Sequence, residues 1–213
     1  MSRDCSRDHD AGQSAGPTAY VVDDDESIRT LWRWLMESNG IAVQTFATAT
    51  AFIESYRRGD PGCLVLDLRL PGMGGLELQG YLAQREIEIP IVFVTGHGDV
   101  PAAVRALKGG AVDFIQKPFD YREALLTVKK AFERDCDIRA RRARRSGIDA
   151  RVALLTEREC EVLERVIAGK QNKLIAGELA ISVKTVEVHR AKVMEKLGAA
   201  SVAELVQFML HRD

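Results

Sequence analysis

The sequence is short of several things at once. It has four cysteines in 213 residues, Cys5, Cys63, Cys136 and Cys160, and no two of them form a C-x-x-C pair. That spacing suggests neither a zinc site nor a redox couple, so free thiols in a reducing compartment are expected. Charge of one sign is also lacking: 30 Lys and Arg face 31 Asp and Glu. No apolar run approaches the ~20 residues needed to cross a bilayer. The first 17 residues, MSRDCSRDHDAGQSAGP, are small and polar and have no apolar core of the kind a signal peptide carries. They read as a disordered tail, and the expected location is cytoplasmic, with no membrane partner. No G-x-G-x-x-G or Walker loop is present, which disfavours a nucleotide-binding domain. What remains is ordinary globular composition, 46% apolar, with room for two small domains.

From residue 19 to 117 short apolar runs alternate with helical periods. AYVVD (19–23), AVQTF (42–46), CLVLD (63–67), PIVFVT (90–95) and AVDFIQK (111–117) read as five strands. Helices are expected between them: one carrying Ile28, Leu31, Trp32, Leu35 and Met36, then 48–59 ending at Gly59, 76–86, and one capped by Asp99. Apolar strands separated by helices imply a parallel sheet covered on both faces. Phe114 alternates with Ile115 and is expected to be buried. Gly109 is expected to loosen the loop before the fifth strand.

The character then changes. A long helical pattern over 120–145 loses its apolar stripe after Phe132, runs into RARRARR (139–145), and is expected to end at Gly147. The arginine cluster reads first as a solvated helix face and second as a phosphate contact. From Leu154 the pattern is purely helical. TERE (156–159) is a capping box, followed by helices at 172–179, 183–198 and 201–210. The organisation read from this is a tail 1–17, a first domain 18–133, a helical linker 134–153 and a second domain 154–213.

Binding sites of open parallel sheets form beyond the carboxyl ends of the strands. The residues there are Asp23, Asp24 and Asp25, then Asp67, Thr95 and Lys117. Asp67 closes a run of buried residues, and a buried carboxylate is costly unless paired. Lys117 is the candidate partner. Clustered carboxylates repel unless a cation sits among them, and a hard, oxygen-seeking ion such as Mg²⁺ suits an all-carboxylate set. Asp25 reads as a helix cap rather than a ligand. His97 receives no catalytic role.

In the second domain the 183–198 helix places Val186, Arg190, Val193 and Leu197 on one side. Lys184, Glu187, Val188, Ala191 and Glu195 fall on the other. Small apolar residues on an outward face suit a helix in a DNA major groove, where they meet a thymine methyl, and Glu187 can accept from a cytosine amino group. Lys184, Thr185, Arg190, Lys192 and Lys196 are placed against phosphates, and Asn172 and Lys173 against the backbone from the preceding helix. Residues 150–213 hold ten basic and nine acidic residues. Affinity from one copy should be weak, which argues for a dimer on paired half-sites.

Four motifs, VVDDDESIR, LVLDLRLPGMGG, VTGHGD and DFIQKPF, resemble the receiver domain of two-component response regulators. The stretch from LTERE to the final helix is similar to the LuxR-type four-helix domain of the NarL/FixJ regulators, and the whole is closest to the FixJ branch. The resemblance implies a five-stranded receiver sheet in the order 2-1-3-4-5 joined through a helical linker to a helix-turn-helix domain. It implies that Asp67 accepts a phosphoryl group from a sensor histidine kinase. Asp23, Asp24 and Asp67 would hold Mg²⁺ with the backbone carbonyl of Arg69. Thr95 and Lys117 would bond phosphoryl oxygens, and Phe114 would turn inward when Thr95 moves. Phosphorylation would promote a homodimer on double-stranded promoter DNA, with RNA polymerase as a further partner. Glu187 stands where some relatives carry lysine. Two other functions compete. One is a DNA-binding regulator controlled by protein partners without phosphorylation, although degenerate receivers usually lose an acidic or lysine position and this chain has all of them. The other is a metal-dependent phosphatase with an aspartyl nucleophile. Such enzymes place a second Asp two residues on, where this chain has Arg69, so a non-enzyme is expected.

Overall fold

The computed structural model describes residues 16–96 and 100–210. His97, the expected Asp99 cap, Cys5 and most of the N-terminal tail lie outside the described residues. The chain divides into two compact units between Ile138 and Arg139.

The first unit alternates strands and helices: β1 (Thr18–Val22), α1 (Glu26–Glu37), β2 (Ala42–Phe46), α2 (Ala49–Ser55), β3 (Gly62–Asp67), α3 (Gly75–Gln84), β4 (Ile91–Thr95), α4 (Val100–Lys108) and β5 (Asp113–Gln116). The helix α5 (Tyr121–Val152) follows. All strand pairs are parallel, in the order β2-β1-β3-β4-β5. The two-residue period of a strand sorts the core into layers. Ala19, Val21, Val65, Val92, Val94 and Ile115 face Trp32, Leu35 and Met36 of α1 and Ala124, Val128 and Ala131 of α5. Tyr20, Val22, Leu64, Leu66 and Phe93 face the other way, onto Phe52, Leu78, Leu82 and Ala106. Strand β3 is buried at every position, which explains its unbroken apolar run. Full burial of one such Leu or Phe is worth about 1.5–3 kcal/mol, so these two layers hold the rim of the sheet in place.

Four expectations need correction here. Helix α2 stops at Ser55, not at Gly59, because Tyr56 turns to extended backbone and stacks its ring on Phe52 at 5.2 Å, edge-on to Tyr20 at 5.3 Å. Helix α5 does not stop at Gly147 but runs to Val152. A glycine inside a helix costs only about 1 kcal/mol. Burial of Ile148 and packing of Val152 on the second core outweigh it. Phe114 is not buried: the residue is 41% exposed. It sits on the edge strand, and the residues that α4 brings to that side of the core are the small Ala102 and Ala106. Gly109 does not loosen its loop. A Cβ there would stand 2.8 Å from Gln79 Oε1, so the glycine makes room for buried Gln79, whose Nε2 donates to the Ala106 carbonyl at 3.0 Å.

The second unit contains α6 (Glu157–Ile167), α7 (Asn172–Leu179), α8 (Val183–Leu197) and α9 (Val202–Leu210) around one core of Val162, Leu163, Ile175, Val186, Val193 and Leu205. Caps set its boundaries. The Thr156 hydroxyl accepts from the Glu159 amide while Glu159 reaches back to the Thr156 amide. Ser182 caps α8, and Gly198 ends it in the left-handed conformation at φ 68°.

Candidate functional site

The strand ends gather the predicted acids at one rim. Asp23 follows β1 directly, Asp67 closes β3, Thr95 closes β4, and Lys117 follows β5. The Lys117 ammonium bonds Asp23 Oδ2 at 2.7 Å and Asp67 Oδ2 at 2.5 Å. Asp23 and Asp67 are buried, whereas Asp24 is exposed. Ligand oxygens of all three lie within 4.8 Å of one another. The second oxygens are held as well: Asp23 Oδ1 accepts from the Asp25 amide and Asp67 Oδ1 from the Arg69 amide, each at 2.9 Å. Thr95 is buried, its hydroxyl donates to the Gly96 carbonyl at 3.0 Å, and its own carbonyl accepts from the Lys117 amide at 2.7 Å. Phe114 lies beside Phe93 in the β4–β5 register, two pairs before Gln116, the neighbour of Thr95. Asp25 caps α1 by accepting from the Ser27 amide, as expected of a helix cap.

Electrostatics follow from this packing. Burial pushes the Asp23 carboxyl above its ordinary range, and the Lys117 hydrogen bond only partly offsets that. Burial also opposes the Lys117 charge. The hydrogen bonds and charges of Asp23 and Asp67 outweigh it and hold the ammonium above the usual lysine value. A group of three carboxylates balanced by one ammonium carries excess negative charge. Its donors are all oxygens and one of them faces solvent, which fits a hard divalent cation that keeps waters.

Sequence reasoning missed three residues that shape this unit. Arg29, one turn into α1, donates to the carbonyls of Asp23 and Asp24 at 2.8 Å each and so pins the acidic loop. Its position six residues past Asp23 was a readable signal. Asp135 on α5 is buried and accepts from the Gly62 amide at 3.1 Å. Gln79 is buried as described above. Neither had a sequence signal, since each partner is distant in the chain.

In the second unit the outward residues of α8 are where the period placed them. Lys184, Glu187, Val188, Ala191 and Lys192 are exposed, Val188 at 48%. Thr185 is half-buried and shares a 2.8 Å hydrogen bond with Ser182, so it belongs to the helix cap. Arg190 donates to Asn172 Oδ1 at 2.7 Å, joining α8 to α7, while Lys173 is exposed. Lys196 is turned inward. Its ammonium bonds buried Glu159 at 2.6 Å and the Leu154 carbonyl at 3.1 Å. That hydrogen bond, with the Thr156 amide, pulls the Glu159 carboxyl down to about 2. Lys196 therefore serves the fold by tying α8 to the start of α6.

Two families match this chain. Residues 19–129 match the "Response regulator receiver domain" and residues 153–209 match "Bacterial regulatory proteins, luxR family". The transcriptional regulatory protein FixJ of Azorhizobium caulinodans is 44% identical over 90% of this chain and 90% of its own length. The response regulator protein TodT of Pseudomonas putida is 40% identical over 88% of this chain and 83% of its own. Among solved structures, the response regulator StyR matches with a TM-score of 0.79 and 44% identity, over 92% of this chain and 99% of its own. Full-length FixJ from B. japonicum matches with a TM-score of 0.56 and 41% identity, over 92% and 97%. With an acid rim at one end of a 2-1-3-4-5 sheet and a capped helix-turn-helix later in the sequence, the chain belongs to the two-component response regulators that control transcription, a receiver followed by a LuxR-type DNA-binding domain.

Proposed function

We propose that Asp67 is the phosphoacceptor and that its phosphorylation by a sensor histidine kinase promotes dimerisation and sequence-specific binding to promoter DNA, upstream of RNA polymerase. The observation that carries this is the shared ammonium of Lys117 on Asp67 and Asp23. It marks a rim where a nucleophilic oxygen, a cation and excess carboxylate meet. Asp67 attacks the phosphorus of a phosphohistidine. The new O–P bond forms as the P–N bond breaks, and the imidazole leaves with its electron pair. Asp23, Asp24 and Asp67 would hold Mg²⁺ with the Arg69 carbonyl, and the ion would neutralise charge on the transferring phosphoryl group. Lys117 exchanges one carboxylate oxygen for a phosphoryl oxygen. The Thr95 hydroxyl leaves the Gly96 carbonyl for another, and Phe114 moves into the space vacated. In the second domain Val188 and Ala191 lie toward bases, with Glu187 as an acceptor, and Lys173, Lys184 and Lys192 toward phosphates.

The test is uptake of phosphate from acetyl phosphate, with and without Mg²⁺, followed by sequencing of captured DNA. Label that persists in Asp67→Asn, or DNA capture indifferent to phosphorylation, would overturn the assignment.

A further inference from the structure

The arginine run 139–145 is not absorbed by this reading. It belongs to the second unit, which begins at Arg139. Arg141, Arg145, Ile148 and Val152 follow at i, i+4, i+7 and i+11, so they share one face of α5. Val152 packs on the second core, and the Arg151 guanidinium donates to the Leu197 carbonyl at 3.1 Å, at the end of α8. Arg144 and Arg145 are exposed on the helix that is tied down there. At 1.5 Å per residue, Arg145 stands about 9 Å along the axis from Arg151.

The cations of the DNA-binding helices themselves are largely spent on the fold. Arg158 bonds Glu161 and the Leu179 carbonyl, and Arg165 and Lys170 both pair with Glu178. Arg190 bonds Asn172, and Lys196 bonds Glu159. Among the described residues from 154 onward this leaves Lys173, Lys184 and Lys192, with Glu187 and Glu195 exposed on the same helix as the last two. Three ammonium groups are a poor match for a duplex carrying one negative charge per ~1.7 Å of axis.

We propose that the arginine face of α5 is a second DNA contact, binding backbone phosphates that flank the half-site read by α8. It rests on the DNA-binding reading of α8 and adds a sequence-independent component to it. The partner is double-stranded DNA because charge complementarity is the whole recognition: guanidinium groups at helical spacing suit phosphates and carry no base preference.

The experiment uses the whole chain, phosphorylated with acetyl phosphate and Mg²⁺, and fluorescence anisotropy with a 40-base-pair duplex of mixed sequence, titrated at several salt concentrations. Each phosphate contact contributes about 0.9 to the slope of log K against log salt. Arg144→Gln with Arg145→Gln should flatten the slope by about 1.8 per bound protomer, while Arg144→Lys with Arg145→Lys should keep most of it. Circular dichroism should show both variants folded. An unchanged slope in the glutamine variant overturns the proposal while the α8 reading stands. Loss of binding to phosphatidylglycerol vesicles with the DNA slope intact would make the face a lipid surface and also overturns it. If the unsubstituted chain fails to bind any duplex, the α8 reading falls together with this one.

Discussion

Lys196 of α8 and Glu159 of α6 are joined by a 2.6 Å ion pair whose acid is buried. The bond runs through the capping box of α6, since the same Glu159 oxygen accepts from the Thr156 amide. One ammonium thus secures a helix start and ties the recognition helix to it.

This pair has a pH signature. Glu159 is held at about 2, below the ordinary glutamate value of 4.5, so the folded state favours its charged form. The stability it contributes is fully present above about pH 4.5 and is lost as pH falls toward 2. In calorimetry of the whole chain, Glu159→Gln should melt earlier at neutral pH and show a smaller loss between pH 5 and 2. Equal pH dependence in both proteins would refute the assignment.

Lys196 and Lys192 should separate fold from DNA contact. Lys196→Ala leaves a buried carboxylate unpaired and is expected to cost about 1–3 kcal/mol of stability. Lys192→Ala should be within about 0.5 kcal/mol of the unsubstituted protein but lower the salt slope of DNA binding by about 0.9. Urea denaturation and anisotropy titrations measure the two quantities, and a matching pair of profiles would count against the distinction.

At the receiver rim, Lys117→Met removes the charge shared by Asp23 and Asp67. Two neighbouring carboxylates then repel, so the receiver should melt earlier, by about 1–3 kcal/mol at neutral pH. Added Mg²⁺ should recover more stability in this variant than in the unsubstituted protein, because the ion replaces the lost cation. Differential scanning fluorimetry with and without Mg²⁺ tests this, and an ion-insensitive variant contradicts it.

Val188→Glu should abolish specific DNA binding while changing stability by less than about 0.5 kcal/mol, because the side chain is half exposed and packs on no core. Gel shifts on captured promoter DNA, with a denaturation curve on the same preparation, decide it.

Period and punctuation determined most of the architecture. Short strands with largely apolar runs at β1, β3 and β4, alternating with amphipathic helices, admit little but a covered parallel sheet, and its strand ends bring Asp23, Asp67, Thr95 and Lys117 to one rim. Thr156, Ser182 and Gly198 mark helix ends through local hydrogen bonds and backbone conformation, which a sequence carries by itself. What tertiary structure alone decided concerns residues whose partners are remote in the chain. Lys196 looks like a surface cation until Glu159, 37 residues away, is seen beneath it. Asp135 looks like part of a charged helix until the Gly62 amide is found against it. Phe114 looks buried by alternation until the edge of the sheet leaves it open. Local periodicity reports which side a residue faces. Only the packed fold determines whether something stands there to meet it.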